Sequence, residues 1–135
     1  SYMGRATDPQ PDAAYERLVF QAKVYAAIDA TRKESEFLHF EVYRMRIFDA
    51  DSGKDVAAQL GISEPTVTRH LQRVRGLLRE RLIEMIETYS FTEEERSEAS
   101  SAGLGNDDGL FDEAIAEIYL THAALVEDDS TLPPG

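Results

Sequence analysis

Two helix-patterned segments meet at Gly61 with only Ile62 and Ser63 between them, and that spacing constrains the fold more than any other feature of the chain. On the N-terminal side, Ser52 followed three residues later by Asp55 reads as a capping box for a short helix, Lys54 to Leu60, which Gly61 ends. On the other side, Ser63 is placed to cap a helix from Glu64 to about Tyr89, with Pro65 in the first turn, where its missing N–H is harmless. Along that helix Val67, Leu71, Val74, Leu78, Leu82 and Met85 recur at steps of three and four, so one side is apolar throughout. Gly76 costs it about 1 kcal/mol relative to alanine without breaking it. Helices joined so tightly must cross steeply. Ala57 is small where they touch, Gly61 supplies the turn, and Val56, Leu60, Ile62, Val67 and Leu71 fill the wedge, which is the pattern of a helix-turn-helix.

The polar side of the second helix has the chemistry of a groove reader. Ser63, Thr66, Thr68, Arg69, Gln72 and Arg73 combine hydroxyls, an amide and guanidinium forks. Arginine pairs bidentately with guanine and glutamine with adenine, while threonine hydrogen-bonds or touches a thymine methyl. Thr68, Arg69, Gln72 and Arg73 are expected to read bases or their immediate backbone. Arg75 and Arg79, further along, are expected to set register on phosphates. His70 sits beside this face as a phosphate neighbour or a partly packed residue rather than a catalytic base.

A formal net charge of -12 argues against nucleic acid until its distribution is read. Residues 1–53 hold seven Lys/Arg against nine Asp/Glu, residues 54–81 six against three, and residues 82–135 one against fourteen. A small basic module is followed by an acidic extension, and the global balance describes neither part.

Around the motif the pattern is helical. Residues 1–11, with Gly4, Pro9 and Pro11 and a Ser-Tyr pair ahead of Met3, are expected to lie outside the fold. A helix is predicted from Asp12 to about Arg32 on the stripe Leu18, Ala22, Tyr25 and Ile28. A second, largely buried helix is predicted over Glu36 to Phe48, with stripes Leu38/Val42/Met45 and Phe40/Tyr43/Ile47. The predicted organisation is an all-α, four-helix domain over 12–90 without a wing, a flexible acidic linker over 91–108, an amphipathic acidic helix over 109–126 and a disordered tail over 127–135. For the acidic part three readings stay open: a solvating tail, a tethered competitor for Arg69, Arg73 and Arg79, or a helix whose stripe Phe111, Ile115 and Ile118 docks on the domain or on another protein.

The segment LGISEPTVTRHLQRVRGLLRERL resembles the C-terminal promoter-reading domain, region 4, of bacterial RNA polymerase sigma factors of the extracytoplasmic-function class. The resemblance covers Tyr15 to Tyr89, including the two preceding helices, the VAAQLGIS turn and the PTVTRHLQRVR helix. It implies sequence-specific binding of the upstream (minus thirty-five) element of double-stranded promoter DNA and docking on the beta flap of core RNA polymerase, with an anti-sigma factor as an open further partner. By position, Thr68, Arg69, Gln72 and Arg73 would face the promoter. The family pattern covers neither the acidic extension nor, within these 135 residues, the other sigma domain that binds core polymerase and melts the promoter. A piece of a longer sigma factor and a regulator keeping only the reading head both fit. TVTRHL also resembles the output domain of LuxR-type regulators, whose Thr-x-Arg-Glu signature has no counterpart in FEVYRMRIFDADSGKDV. A protein-interaction module working through its acidic part is the remaining alternative.

Other classes find little support. With no cysteine, disulfides, thiolate metal sites and cysteine nucleophiles are excluded. His39, His70 and His122 are far apart in sequence and share no ligand spacing with carboxylates, so no metal site is expected. No Gly-rich phosphate loop, nucleophile elbow or zinc motif occurs, so neither a catalytic residue nor a cofactor nor a small-molecule substrate is nominated. No apolar run approaches a membrane span and no signal-peptide pattern opens the chain, which makes the cytoplasm the expected location.

Overall fold

A computed structural model describes residues 10–88, 93 and 107–131. The elements are α1 (Gln10–Glu34), α2 (Phe37–Tyr43) continuing into a π-helical turn (Arg44–Phe48), α3 (Gly53–Leu60), α4 (Glu64–Thr88) and α5 (Asp108–Thr131). The described residues form an all-α fold with no strand. No helix among them is long and apolar enough to cross a membrane.

The boundaries of α1 and α5 move outward from the sequence expectation. Gln10 and Pro11 are helical, with Pro11 in the first turn where its fixed φ suits a helix start. At the other end, α5 begins at Asp108 and runs to Thr131, so residues expected in the linker and in the tail are helical. The Asp107 carboxylate caps it, accepting the Leu110 N–H at 3.0 Å. The remaining linker and tail assignments lie outside the described residues, Glu93 excepted.

The buried face of α1 also differs. Leu18 and Ala22 are exposed and Tyr25 is half-buried, whereas Phe20, Val24, Ala27, Ile28 and Thr31 enter the core. Both stripes have helical spacing. The buried one is chosen by what α1 packs on, namely α4 on one flank and α5 on the other. Thr31 is tolerated there because its hydroxyl donates to the Ala27 carbonyl at 2.8 Å.

In α2 the ladder widens after Tyr43, where the Asp49 N–H reaches the Arg44 carbonyl at 3.0 Å. The wider π turn brings residues five apart to one side. Tyr43 and Phe48 thus both enter the core, their rings 5.8 Å apart edge to face. Ala50 follows with a φ of 61°, a left-handed conformation uncommon for alanine.

The pair α3 and α4 follows the predicted boundaries closely. Ser52 caps α3 by accepting the Asp55 N–H at 3.1 Å, and Gly61 ends it with a φ of 68°. Val56, Ala57, Val67 and Leu71 are buried between the helices, with Leu60 and Ile62 packed partly against them. A β-carbon on Gly61 would meet nothing within 4 Å, so only the backbone conformation demands glycine there. Gly61→Ala is expected to destabilise the protein by about 1–2 kcal/mol, read as a lowered urea midpoint. Gly76 is the opposite case: it lies in the interior of α4, on its exposed side, and a β-carbon would again meet nothing. Gly76→Ala is expected to raise stability by about 1 kcal/mol in the same assay.

The acidic helix is part of the core rather than an appendage. Phe111, Ile115 and Ile118 are buried in one cluster with α1, α2 and α4. Tyr119 of α5 lies between Phe48, stacked at 4.0 Å and 3°, and Tyr25 at 5.4 Å. Of the three readings of the extension, docking on the domain is the one observed.

Candidate nucleic-acid interface

The exposed side of α4 is built from its N-terminus upward. Ser63 caps the helix, its hydroxyl accepting the Thr66 N–H at 3.2 Å. The hydroxyls of Ser63 and Thr66 are 2.9 Å apart, and Arg69 donates through Nη2 to Thr66 Oγ1 at 2.8 Å. This relay steers the Arg69 guanidinium toward the helix N-terminus while leaving most of its donors open. Gln72, one turn on from Thr68, and Arg73, two turns on from Thr66, are exposed, as are Ser63, Thr68 and Arg69. Thr66 is half-buried. Behind this row, Val67, Leu71, Val74 and Leu78 fix the helix to the core, so the polar row stands on a rigid support.

Arg75 and Arg79, expected on phosphates, are instead engaged by α5, Arg75 buried and Arg79 half-buried. Arg75 is 9% exposed and grips Asp112 of α5 bidentately, through Nε to Oδ1 at 3.1 Å and Nη2 to Oδ2 at 2.5 Å. The buried Tyr43 hydroxyl donates to the same Oδ1 at 3.1 Å. Arg79 donates to Asp108 Oδ1 at 2.7 Å and lies 4.5 Å over the Phe111 ring. The reason is positional. Arg75 follows Leu71 by one turn and Arg79 follows Arg75 by another, so both lie on the flank between the apolar stripe and the exposed row, where α5 packs. The hydrogen-bonded Asp112 carboxylate raises the Arg75 pKa above its ordinary value. Burial, chiefly, and then the neighbouring Asp112 charge push the Tyr43 hydroxyl well above the usual phenol range, so it stays a donor. Arg81, further along, binds Glu34 of α1 through Nε at 3.1 and 3.0 Å.

The structure therefore separates the predicted residues into two groups. Ser63, Thr66, Thr68, Arg69, Gln72 and Arg73 share one side of α4 and its start; Arg75 and Arg79 belong to the α4–α5 contact.

One cluster was not legible from spacing. His39 of α2 and His70 of α4, distant in sequence, have ring centroids 4.1 Å apart at 33°. Only the packing of α2 on α4 brings them together. Burial, followed by the nearby His39, Arg69 and Arg73, lowers the His70 pKa below the ordinary imidazole value of 6.5. Among the described residues no group of three His, Asp or Glu is arranged to hold a metal ion.

No family model matches the chain, and no curated protein or solved structure is detectably similar to it.

Proposed function

We propose that the chain is a helix-turn-helix DNA-binding domain acting in transcription initiation, with α3 and Gly61 presenting α4 to the major groove in the manner of sigma region 4. The observation that carries this reading is the exposed row Thr68, Arg69, Gln72 and Arg73 on the side of α4 opposite its buried stripe. A helix fits the width of the major groove, and side chains along its exposed side reach base edges. With Arg75 and Arg79 committed to α5, few cations remain for phosphates. The isolated chain is accordingly a weak binder that gains occupancy when a larger assembly, core RNA polymerase through its beta flap, tethers it to the promoter. Co-precipitation with core polymerase, with and without promoter DNA, tests this. Retention on polymerase and enrichment of particular upstream sequences are expected. Retention on neither polymerase nor DNA would remove the reading.

Of the three arginines for which a tethered acidic segment would compete, Arg79 is held by Asp108 of α5. A helix that contributes Phe111 and Ile115 to the core cannot leave without exposing them, so α5 acts as a fixed brace rather than a displaceable inhibitor.

A further inference from the structure

Where α4 faces α2, His39 of α2 and His70 of α4 form a titratable pair next to the arginines. The His39 and His70 rings are in contact, and His39 Nε2 lies 3.8 Å from Glu36 Oε2, an ion-pair distance once the imidazole is protonated. His39 lines an open cleft of about 450 Å³ between the α1–α2 corner and α4, with Glu36, Gln72 and Arg73 also in its walls. The charged groups around it are Glu36 on α2, Arg69, Arg73 and Glu80 on α4, and Glu34 at the end of α1, which Arg81 already holds.

We propose that the His39–His70 pair couples duplex binding to proton uptake: a backbone phosphate approaching Arg69 and Arg73 draws a proton onto the pair, which offsets the Glu36 charge and removes its repulsion of the phosphodiester. This rests on the DNA-binding reading of α4. With both imidazoles neutral, Glu36, His39 and His70 together carry one negative charge and repel a phosphate beside Arg73. One proton makes the cluster neutral, and a second makes it cationic. In the free protein the fields of Arg69 and Arg73 oppose protonation of His70. A phosphate cancels those fields, so the proton is held more tightly in the complex than in the free chain. By linkage the duplex must then bind more tightly as pH falls through the range where the complex is protonated and the free protein is not. Because the rings touch, the protons belong to the pair rather than to either residue.

The test is the Kd of the full chain for a 30-base-pair duplex at fixed low salt between pH 5.8 and 8.0, for the unaltered protein, His70→Gln and His39→Gln. Tightening by about tenfold toward low pH is expected, the effect of a one-unit rise in the pair's apparent pKa on binding. Both variants should flatten the profile. The imidazole C2–H resonances of the unaltered protein, titrated with and without duplex, give a second readout that no variant is needed for: those of the pair should titrate at higher pH in the complex. A flat profile, a slope that survives in both variants, or resonances whose titration ignores the duplex would overturn the proposal while leaving the DNA-binding reading intact. Failure to bind duplex at any pH, both alone at low salt and on core polymerase, would overturn both.

Discussion

Asp112→Ala is expected to destabilise the protein by about 3–5 kcal/mol, the largest loss from any single substitution considered. The carboxylate is almost fully buried and accepts from Arg75 twice and from Tyr43 once. Its removal leaves a buried guanidinium and a buried phenol without their acceptor, and uncompensated buried charge is what makes such a change costly. The loss is read in urea unfolding followed by circular dichroism. Replacing both partners, Asp112→Leu with Arg75→Met, should recover most of it, since a buried ion pair is often no better than apolar groups of similar volume. An unchanged midpoint for Asp112→Ala would show that α5 is not held by this contact. Ending the chain before α5 goes further. It strips Phe111, Ile115 and Ile118 from the core, and at about 1.5–3 kcal/mol for each buried side chain the remaining helices are not expected to fold cooperatively.

The second large effect concerns binding. Arg69→Ala and Arg73→Ala should each weaken the preferred duplex by about 1–3 kcal/mol if the guanidinium reads a base, with relaxed preference at the position it contacts. If the contact is to phosphate, the loss is uniform across sequences and the salt dependence shrinks by about one counterion. Arg75→Met separates the two groups of arginines: made together with Asp112→Leu it should leave duplex affinity unchanged, because Arg75 faces α5 and not the open side of α4. Anisotropy titrations of a labelled duplex distinguish these outcomes. Equal losses for Arg69→Ala, Arg73→Ala and the paired Arg75 variant would contradict the assignment of duplex contacts to the exposed arginines rather than to the one held by α5.

The segment Ser52 to Leu82 was legible because its local signals agree, Gly76 aside: a capping serine, a glycine that must be left-handed, and one unbroken apolar stripe. Elsewhere the signals were double. In α1, Leu18/Ala22/Tyr25 and Phe20/Val24/Ala27 both have helical spacing, and only the position of α4 and α5 selects the second. The fate of Arg75 was hidden for a related reason. An arginine on the flank of an apolar stripe suits a phosphate or an aspartate equally, and Asp112 lies 37 residues away beyond an acidic stretch with no helical pattern of its own. The apolar stripe of α5 signalled that it needs a surface, and Asp112, on the flank of that stripe, meets the arginine on the flank of the other. His39 and His70 left no trace in spacing because residues on different helices meet through packing alone.

The most direct test of the central claim, that the exposed row of α4 reads DNA, is selection of duplexes by the full chain from a random-sequence pool at low salt, followed by the affinity of the selected site. A defined consensus is expected, lost on Gln72→Ala or Arg73→Ala while the fold stays intact. A pool that never enriches, or enrichment indifferent to every residue from Thr68 to Arg73, would contradict it.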